Sequence, residues 1–140
     1  MTTPREDIRD IFECAFRNSR VEQAIEERVR FDGETMTVDG FRYELAKFSR
    51  WIVIAIGKAA APMLSSFLSR SGDVAQRFEG VIAAPDPVVV PSEHFVAFHA
   101  GHPSPNAASV AAAEKILQTL AELTEHDLVV FLISGGGSSL

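Results

Sequence analysis

Residues 51–62 read WIVIAIGKAAAP, and this stretch sets the architecture that the rest of the chain follows. Its apolar half, 52–56, is rich in β-branched residues, which is typical of a parallel strand buried on both faces. Gly57 then allows a sharp turn, and Pro62 fits the first turn of a following helix. Lys58 is thereby expected at the carboxyl edge of a sheet, beside a helix N-terminus that favours anions. It either binds an anion there or extends from the junction into solvent.

The segments after this stretch alternate between strand and helix patterns. Apolar runs at 80–84, 95–98 and 128–133 predict strands, the last of them continuously buried, whereas 88–90 is bracketed by prolines and predicts a loop or an edge strand. Helical spacing predicts one helix ending near Ser71 and another from the N-cap Asn106 to about Leu123. The alternation predicts right-handed parallel crossovers and therefore a doubly wound α/β sheet. The apolar periodicity also predicts which residues of the two helices face the core: Ala60, Met63, Leu64, Phe67 and Leu68 in the first, and Val110, Ala113, Leu117, Leu120 and Ala121 in the second.

The N-terminal third predicts two helices and a small antiparallel meander. Thr3 and Glu6 have capping-box spacing, and helical periodicity then groups the apolar residues on one face, with Cys14 close to it as inert core. A shorter helix is expected from Ser19 to about Glu27. Turn signals Asp32-Gly33 and Asp39-Gly40 separate alternating runs at 29–31, 35–38 and 41–45, which predict the meander. The apolar face of the first helix comprises Ile8, Ile11, Phe12, Ala15 and Phe16.

Composition excludes several classes of protein. At 140 residues the chain has the length of one domain, and its 46% hydrophobic and 23% charged residues are typical of a globular protein. A net charge of −6 argues against nucleic acid or an anionic membrane as a partner. One cysteine supports neither a disulfide framework nor a Cys-rich metal site. With no signal-peptide pattern and no apolar run of about 18 residues, a cytoplasmic protein is predicted.

The sequence stops where a helix covering the strand at 128–133 is expected to begin. An uncovered strand would leave an apolar face in water. We therefore expect residues 1–140 to be a domain that is incomplete at its C-terminus, either a fragment or a truncated gene product.

Four polar segments follow the predicted strands at the carboxyl edge, where open parallel sheets bind ligands. They are Gly57-Lys58, Pro85-Asp86, 101–106 and 134–138. Three glycines, Gly135, Gly136 and Gly137, would let backbone N–H groups turn toward an anion, and Ser138 adds a hydroxyl. The alternative is a plain flexible turn or an artificial linker. The segment is not a nucleotide P-loop, because no lysine follows its last glycine, and it lacks the last glycine of the dinucleotide fingerprint.

His102 lies between Gly101 and Pro103 in the third of these segments. Its imidazole either binds a substrate oxygen or exchanges a proton with the substrate. The alternative is a ring that hydrogen-bonds the backbone and fixes the turn. The other histidines have no metal-ligand spacing.

Three motifs, taken in order, resemble the N-terminal part of the class II glycerate kinases, the family with a C-terminal MOFRL domain whose members were formerly labelled hydroxypyruvate reductases. The motifs are 56–60 with Met63, GHPSPN at 101–106, and LISGGGS at 132–138. The resemblance runs across nearly the whole chain. Two positions depart from the family pattern: Asn106 stands where an acidic residue is usual, and Ser139 stands where alanine is usual.

The resemblance implies a Rossmann-like domain 1–140 of an enzyme that phosphorylates glycerate to 2-phosphoglycerate with ATP and Mg²⁺. It implies a catalytic role for Lys58, and it makes Gly57, Ser134 and the glycine-rich loop candidates for binding substrate or phosphate, with His102 and Asn106. The partners are then glycerate and ATP, together with a second copy or the missing C-terminal domain. The alternatives are an NAD(P)-dependent hydroxypyruvate reductase, which lacks the fingerprint here, and a non-catalytic binding or assembly module. The chain by itself is expected to be inactive.

Overall fold

The four-stranded parallel sheet predicted from the sequence forms the centre of the domain. The computed structural model describes residues 3–18, 20–90 and 92–137. After helices α1 (Pro4–Asn18) and α2 (Val21–Arg28), strands β1 (Val29–Asp32), β2 (Thr35–Val38) and β3 (Phe41–Glu44) form the antiparallel meander, as predicted. The order then continues with β4 (Arg50–Ile56), α3 (Ala60–Ser71), β5 (Phe78–Ala84), β6 (Phe95–His99), α4 (Ala107–Ala121) and β7 (Asp127–Ile133).

The parallel sheet has the strand order β6-β5-β4-β7, and every neighbouring pair is parallel. From β4 the chain passes through α3 to β5 and then to β6, and both of these strands lie on one side of β4 in the strand order. Helix α4 then returns the chain to β7, which pairs with β4 on its other side. The sheet is therefore doubly wound, as the alternation of elements predicts.

Strand β4 is buried on both faces, as the apolar run predicts. Val53 and Ala55 belong to the core on the α3 side, whereas Ile52 and Ile54 pack on the α4 side with Ile116. The α3 side is rich in aromatic contacts, since Phe67 and Phe78 pack edge to face with ring centroids 5.1 Å apart. Each large apolar side chain buried in this way contributes about 1.5–3 kcal/mol to folding.

The prediction for the inner face of α4 is wrong. Val110 and Leu117 are 57% and 66% exposed, whereas Ser109 and Ala112 are buried. The physical reason is a hydrogen-bond network: the Ser109 hydroxyl accepts bonds from the backbone N–H groups of Gly101 and Asn106, at 3.0 and 3.1 Å. Ser109 therefore faces inward. This fixes the rotation of α4 about its own axis, so that the helix buries a different face from the one its apolar periodicity predicts. Of the five predicted inner-face residues, Val110, Ala113, Leu117 and Ala121 are exposed, and Leu120 is half-buried.

The continuous burial predicted for β7 is also wrong. Phe131 and Ile133 are 51% and 62% exposed. Strand β7 lies at the edge of the sheet, and α4 packs over β5 and β6 instead.

The first helix begins as predicted but does not bury its apolar face. The Thr3 hydroxyl accepts a hydrogen bond from Glu6 N at 3.3 Å, and Thr3 N donates to the Glu6 carboxylate at 2.6 Å, which completes the capping box. The apolar side chains of α1 nevertheless lie in solvent. The prediction that Cys14 is buried is also wrong, because this side chain is exposed. The exposed fractions of Ile8, Ile11, Phe12 and Phe16 range from 60% to 69%. Ser19, the predicted start of the second helix, lies outside the described residues.

Candidate functional site at the carboxyl edge

The carboxyl ends of β4 and β7 lie side by side at the point where the winding of the sheet reverses. Ile56 pairs with Ile133, the last residue of β7, and Ser134 N continues the ladder by donating to Ile56 O at 3.0 Å. A switch point of this kind leaves a crevice outside the strand ends, which is the usual ligand site of doubly wound sheets.

Gly57 occupies the closest approach between the two chain segments. Its φ is +117°, and a Cβ atom there would lie 2.3 Å from Ser134 Oγ and 2.7 Å from Ser134 O. Both the backbone conformation and the space therefore require glycine. The Gly57 amide also donates to Ala83 O at 3.1 Å, so the turn is tied to both neighbouring strands.

Ser134 connects the glycine-rich loop to the start of α3. Its hydroxyl accepts a hydrogen bond from Ala59 N at 2.9 Å, while Lys58 N donates to Gly135 O at 3.2 Å. Ala59 has no side chain that could cap the helix, so Ser134 supplies the missing acceptor from a distant part of the sequence. This contact could not be read from the sequence, since no local spacing relates the two residues.

Lys58, Gly136 and His102 converge on one point. A Cβ atom at Gly136 would lie 3.2 Å from Lys58 Cγ, 3.3 Å from Lys58 Cε and 3.4 Å from His102 Cε1. Gly136 has a φ of +86°. The lysine stem and the imidazole therefore approach the loop backbone at a position without a side chain. The lysine is exposed, and among the described residues it has no carboxylate partner, in contrast to Lys47, which pairs with Glu44 at 2.9 Å.

The segment that carries His102 is held by its own backbone and by α4. Besides accepting from Gly101 N, the Ser109 side chain forms a reciprocal capping box with Asn106, whose Oδ1 accepts from Ser109 N at 2.9 Å. Asn106 Nδ2 donates to His99 O at 3.3 Å. The predicted N-cap is confirmed, and both ends of this carboxamide bond to the protein. The sequence analysis predicts no role for Ser109, although its spacing from Asn106 is that of a capping box.

Gly57, Lys58, Ser134, Gly135, Gly136 and His102 thus gather at one edge. At Gly137 a Cβ atom would be 3.5 Å from Ile56 Cγ2. Asn106 belongs to the cap of α4, and Ser138 lies outside the described residues. The roles of all these residues in binding or catalysis stay predictions.

The electrostatics of this edge favour an anion although the chain as a whole is acidic. Helices α3 and α4 both begin at the carboxyl edge, and each N-terminus carries a partial positive charge. Lys58 adds a full positive charge beside the glycine-rich loop. Because the Ala59 and Gly137 amides already donate to Ser134, a phosphate or a carboxylate would be attracted mainly by Lys58 and by the positive ends of the two helices.

The residues at this edge offer few ligands for a metal ion. In the part of the chain that the structure describes, no three His, Cys, Asp or Glu side chains gather as a metal site. Mg²⁺ in kinases commonly takes one or two carboxylates together with phosphate oxygens. Asp86, which follows β5, is the one carboxylate in the four segments of this edge.

Among the helices of the described residues, none combines the length and the apolar character that a membrane span requires.

The fold and the edge residues define a doubly wound, Rossmann-like α/β domain with a lysine and a glycine-rich loop at its switch point. The model of the family described as "Domain of unknown function (DUF4147)" matches residues 7–140. The chain belongs to this family, which forms the N-terminal domain of the class II glycerate kinases.

Individual relatives carry two kinds of name. The D-glycerate 2-kinase of Thermotoga maritima is 35% identical over 100 residues, which cover 65% of this chain and 22% of that protein. An Agrobacterium vitis protein with a hydroxypyruvate reductase name is 40% identical over 91 residues, covering 65% of this chain and 20% of that protein. The crystal structure of a glycerate kinase from Thermotoga maritima superposes with a TM-score of 0.68 at 27% identity, covering 94% of this chain and 28% of that chain. The chain spans about a fifth of the length of the first two relatives.

Proposed function

We propose that the protein containing this domain is an ATP-dependent glycerate kinase that forms 2-phosphoglycerate, and that residues 1–140 supply one wall of its active site. The observation that carries the proposal is the convergence of Lys58 with the Gly135–Gly137 loop at the switch point of the sheet. The names of the Thermotoga maritima relative and of the superposed crystal structure support the same chemistry.

The arrangement suits phosphoryl transfer because this reaction depends on positioning and on neutralising charge over the phosphoryl oxygens. Gly137 N donates within the loop to Ser134 O at 3.3 Å, so the loop would contact the phosphate chain through its exposed backbone at Gly135, and Lys58 would face the group in transfer. A lysine about 4 Å from a phosphoryl oxygen contributes on the order of 4 kcal/mol at an effective dielectric constant of 20, before desolvation is subtracted. Mg²⁺, when bound, would neutralise part of the phosphate charge, and Asp86 is the residue of this edge that would contact it.

Replacement of the matching segment of the Thermotoga maritima D-glycerate 2-kinase by this chain gives a full-length enzyme for the test. We expect ADP formation that requires both ATP and glycerate, with 2-phosphoglycerate as the product. Lys58→Ala should lower kcat about 10²–10³-fold while KM changes only a few-fold, because the charge acts mainly in the transition state. Lys115→Ala removes the same charge from α4 and should leave kcat unchanged. Equal effects of the two substitutions would remove Lys58 from the mechanism.

A hydroxypyruvate reductase is the second candidate, and the name of the Agrobacterium vitis relative is the observation that favours it. The same enzyme should be mixed with NADH and hydroxypyruvate. Oxidation of NADH without any glycerate-dependent ADP formation would overturn the kinase proposal. If neither reaction occurs although the Thermotoga maritima enzyme is active under the same conditions, a non-catalytic role of this domain is favoured instead.

A further inference from the structure

The imidazole of His102 lies beside the glycine-rich loop. Its Cε1 atom lies 3.4 Å from the position that a Cβ atom at Gly136 would take. In imidazole this carbon is bonded to both ring nitrogens, so both nitrogens lie one bond away from the ring atom that is nearest to this position. The ring therefore brings its proton-binding atoms to the point that the Lys58 stem also reaches.

Several groups of the backbone and of α4 hold the turn that carries His102. Gly101 N and Asn106 N both donate to Ser109 Oγ, and Asn106 Nδ2 donates to His99 O. Ala100 N, one residue further back, donates to Ala84 O at 2.9 Å and fixes the start of the turn to β5. These bonds position His102 beside the loop independently of any contact made by its ring.

The charged and titratable groups around His102 decide which residue could act as a cation and which as a base. Lys58 faces it across Gly136, Asp86 follows the neighbouring β5, and His99 ends β6. The first turn of α4 has no acidic residue, and 134–137 contains none that titrates. Phosphoryl transfer from ATP to an alcohol needs a cation for the phosphoryl oxygens and a base for the alcohol proton. Lys58 supplies the first, and His102, whose ring lies beside the loop, can supply the second.

We propose that His102 is the general base of the transfer, an inference that rests on the kinase function proposed above. One ring nitrogen takes the proton of the substrate hydroxyl while that oxygen forms its bond to the γ-phosphorus of ATP. The bond from the γ-phosphorus to the bridging oxygen breaks, and ADP leaves with the electron pair. The imidazolium then releases its proton to water, so the step is balanced without another reactant.

The test is the dependence of kcat/KM on pH in the full-length enzyme that carries this domain. Imidazole changes its charge between about pH 5 and 8, so the unmodified enzyme should lose activity toward low pH as the base becomes protonated. His102→Asn and His102→Ala should each lower kcat about 10²–10⁴-fold at pH 8 and abolish this acid limb. His126→Asn, at the opposite edge of the sheet, should keep both the rate and the limb. Thermal unfolding of each variant checks that the domain is folded.

Two outcomes separate the inference from the function on which it rests. If the unmodified enzyme makes no 2-phosphoglycerate from ATP and glycerate, the proposed function fails and His102 loses its role with it. If the enzyme is active but His102→Asn retains the rate or keeps the acid limb, the ring only fixes the turn, and the general-base proposal is overturned while the kinase function stands.

Discussion

Gly136 shows most clearly what can be predicted from sequence at the scale of single residues. The run of three glycines after a buried strand indicates a loop that can approach a ligand closely. It does not indicate which of the three is essential, because that depends on side chains 34 and 78 residues away in the sequence, those of His102 and Lys58. In the folded chain the three glycines differ, since only Gly136 combines a positive φ with a Cβ position that lies close to both side chains.

We therefore predict opposite outcomes for alanine at two adjacent positions. Gly136→Ala should destabilise the domain by about 1–2 kcal/mol, because alanine disfavours the left-handed region. It should also weaken phosphate binding, because its methyl group would displace Lys58 and His102. Gly135→Ala is the matched control, since nothing lies within 4 Å of a Cβ atom there. Urea unfolding and a phosphate titration measure both effects, and equal behaviour of the two variants would contradict the packing described for Gly136.

At the scale of elements, the sequence predicts the helix caps, which depend on local spacing, but it does not predict hydrogen bonds between residues of different elements. The capping box of α1 and the N-cap of α4 lie within four residues, so sequence spacing reveals them. The rotation of α4 depends on Ser109 bonding to a turn that precedes the helix, and apolar periodicity cannot report that. The same limit explains β7, since its edge position follows from the strand order rather than from its own residues.

Ser109 should accordingly matter more than its small size suggests. Ser109→Ala leaves the N–H groups of Gly101 and Asn106 without their acceptor, which should lower the free energy of unfolding by about 1–3 kcal/mol. Ser104→Ala, which changes an exposed side chain of the turn itself, serves as the control and should change that free energy by less than about 0.5 kcal/mol. Thermal unfolding of both variants makes the comparison. A Ser109→Ala domain as stable as the control would mean that the turn is held in another way.

The start of β7 should make stability depend on pH. Thr124 N donates to Asp127 Oδ2 at 2.8 Å, and this backbone hydrogen bond, followed by that of the Thr124 hydroxyl, lowers the pKa of the Asp127 carboxyl below its ordinary value. Because the folded pKa is the lower one, the contribution to stability is complete above the unfolded pKa of about 3.9 and is lost as the pH falls through the folded pKa. Asp127→Asn should therefore destabilise the domain at pH 7 and lose most of that effect near pH 2. The control Glu114→Gln should show no such difference in urea unfolding.

At the scale of the whole molecule, the parallel sheet and the meander followed from the alternation of patterns, whereas the exposed surfaces did not. Helical periodicity places Ile8, Ile11, Phe12 and Phe16 on one face of α1, but a period cannot report whether anything packs on that face. In the described residues this face and the outer side of β7 both remain in contact with solvent.

Residues 1–140 supply one wall of the proposed cleft, and we predict that they have no kinase turnover alone. The chain spans about a fifth of the length of the Thermotoga maritima and Agrobacterium vitis relatives named above. Transferring phosphate is commonly clamped by a second cation whose contribution is about 10³–10⁵ in rate. The purified chain should form no ADP from ATP and glycerate above the level of its Lys58→Ala variant. Steady turnover that Lys58→Ala abolishes would contradict this prediction.

The central claim is that Lys58 and the backbone of Gly135–Gly137 form one anion site, and a phosphate titration of the ¹⁵N-labelled chain tests it most directly. We predict saturable shifts of the amide signals at 57–58 and 134–137, with signals of the β1–β3 meander unchanged. Lys58→Ala should weaken the binding about tenfold, which corresponds to about 1.4 kcal/mol, and Lys115→Ala should leave it unaltered. Shifts that never saturate, that scatter over the surface, or that are the same in both lysine variants would contradict the claim.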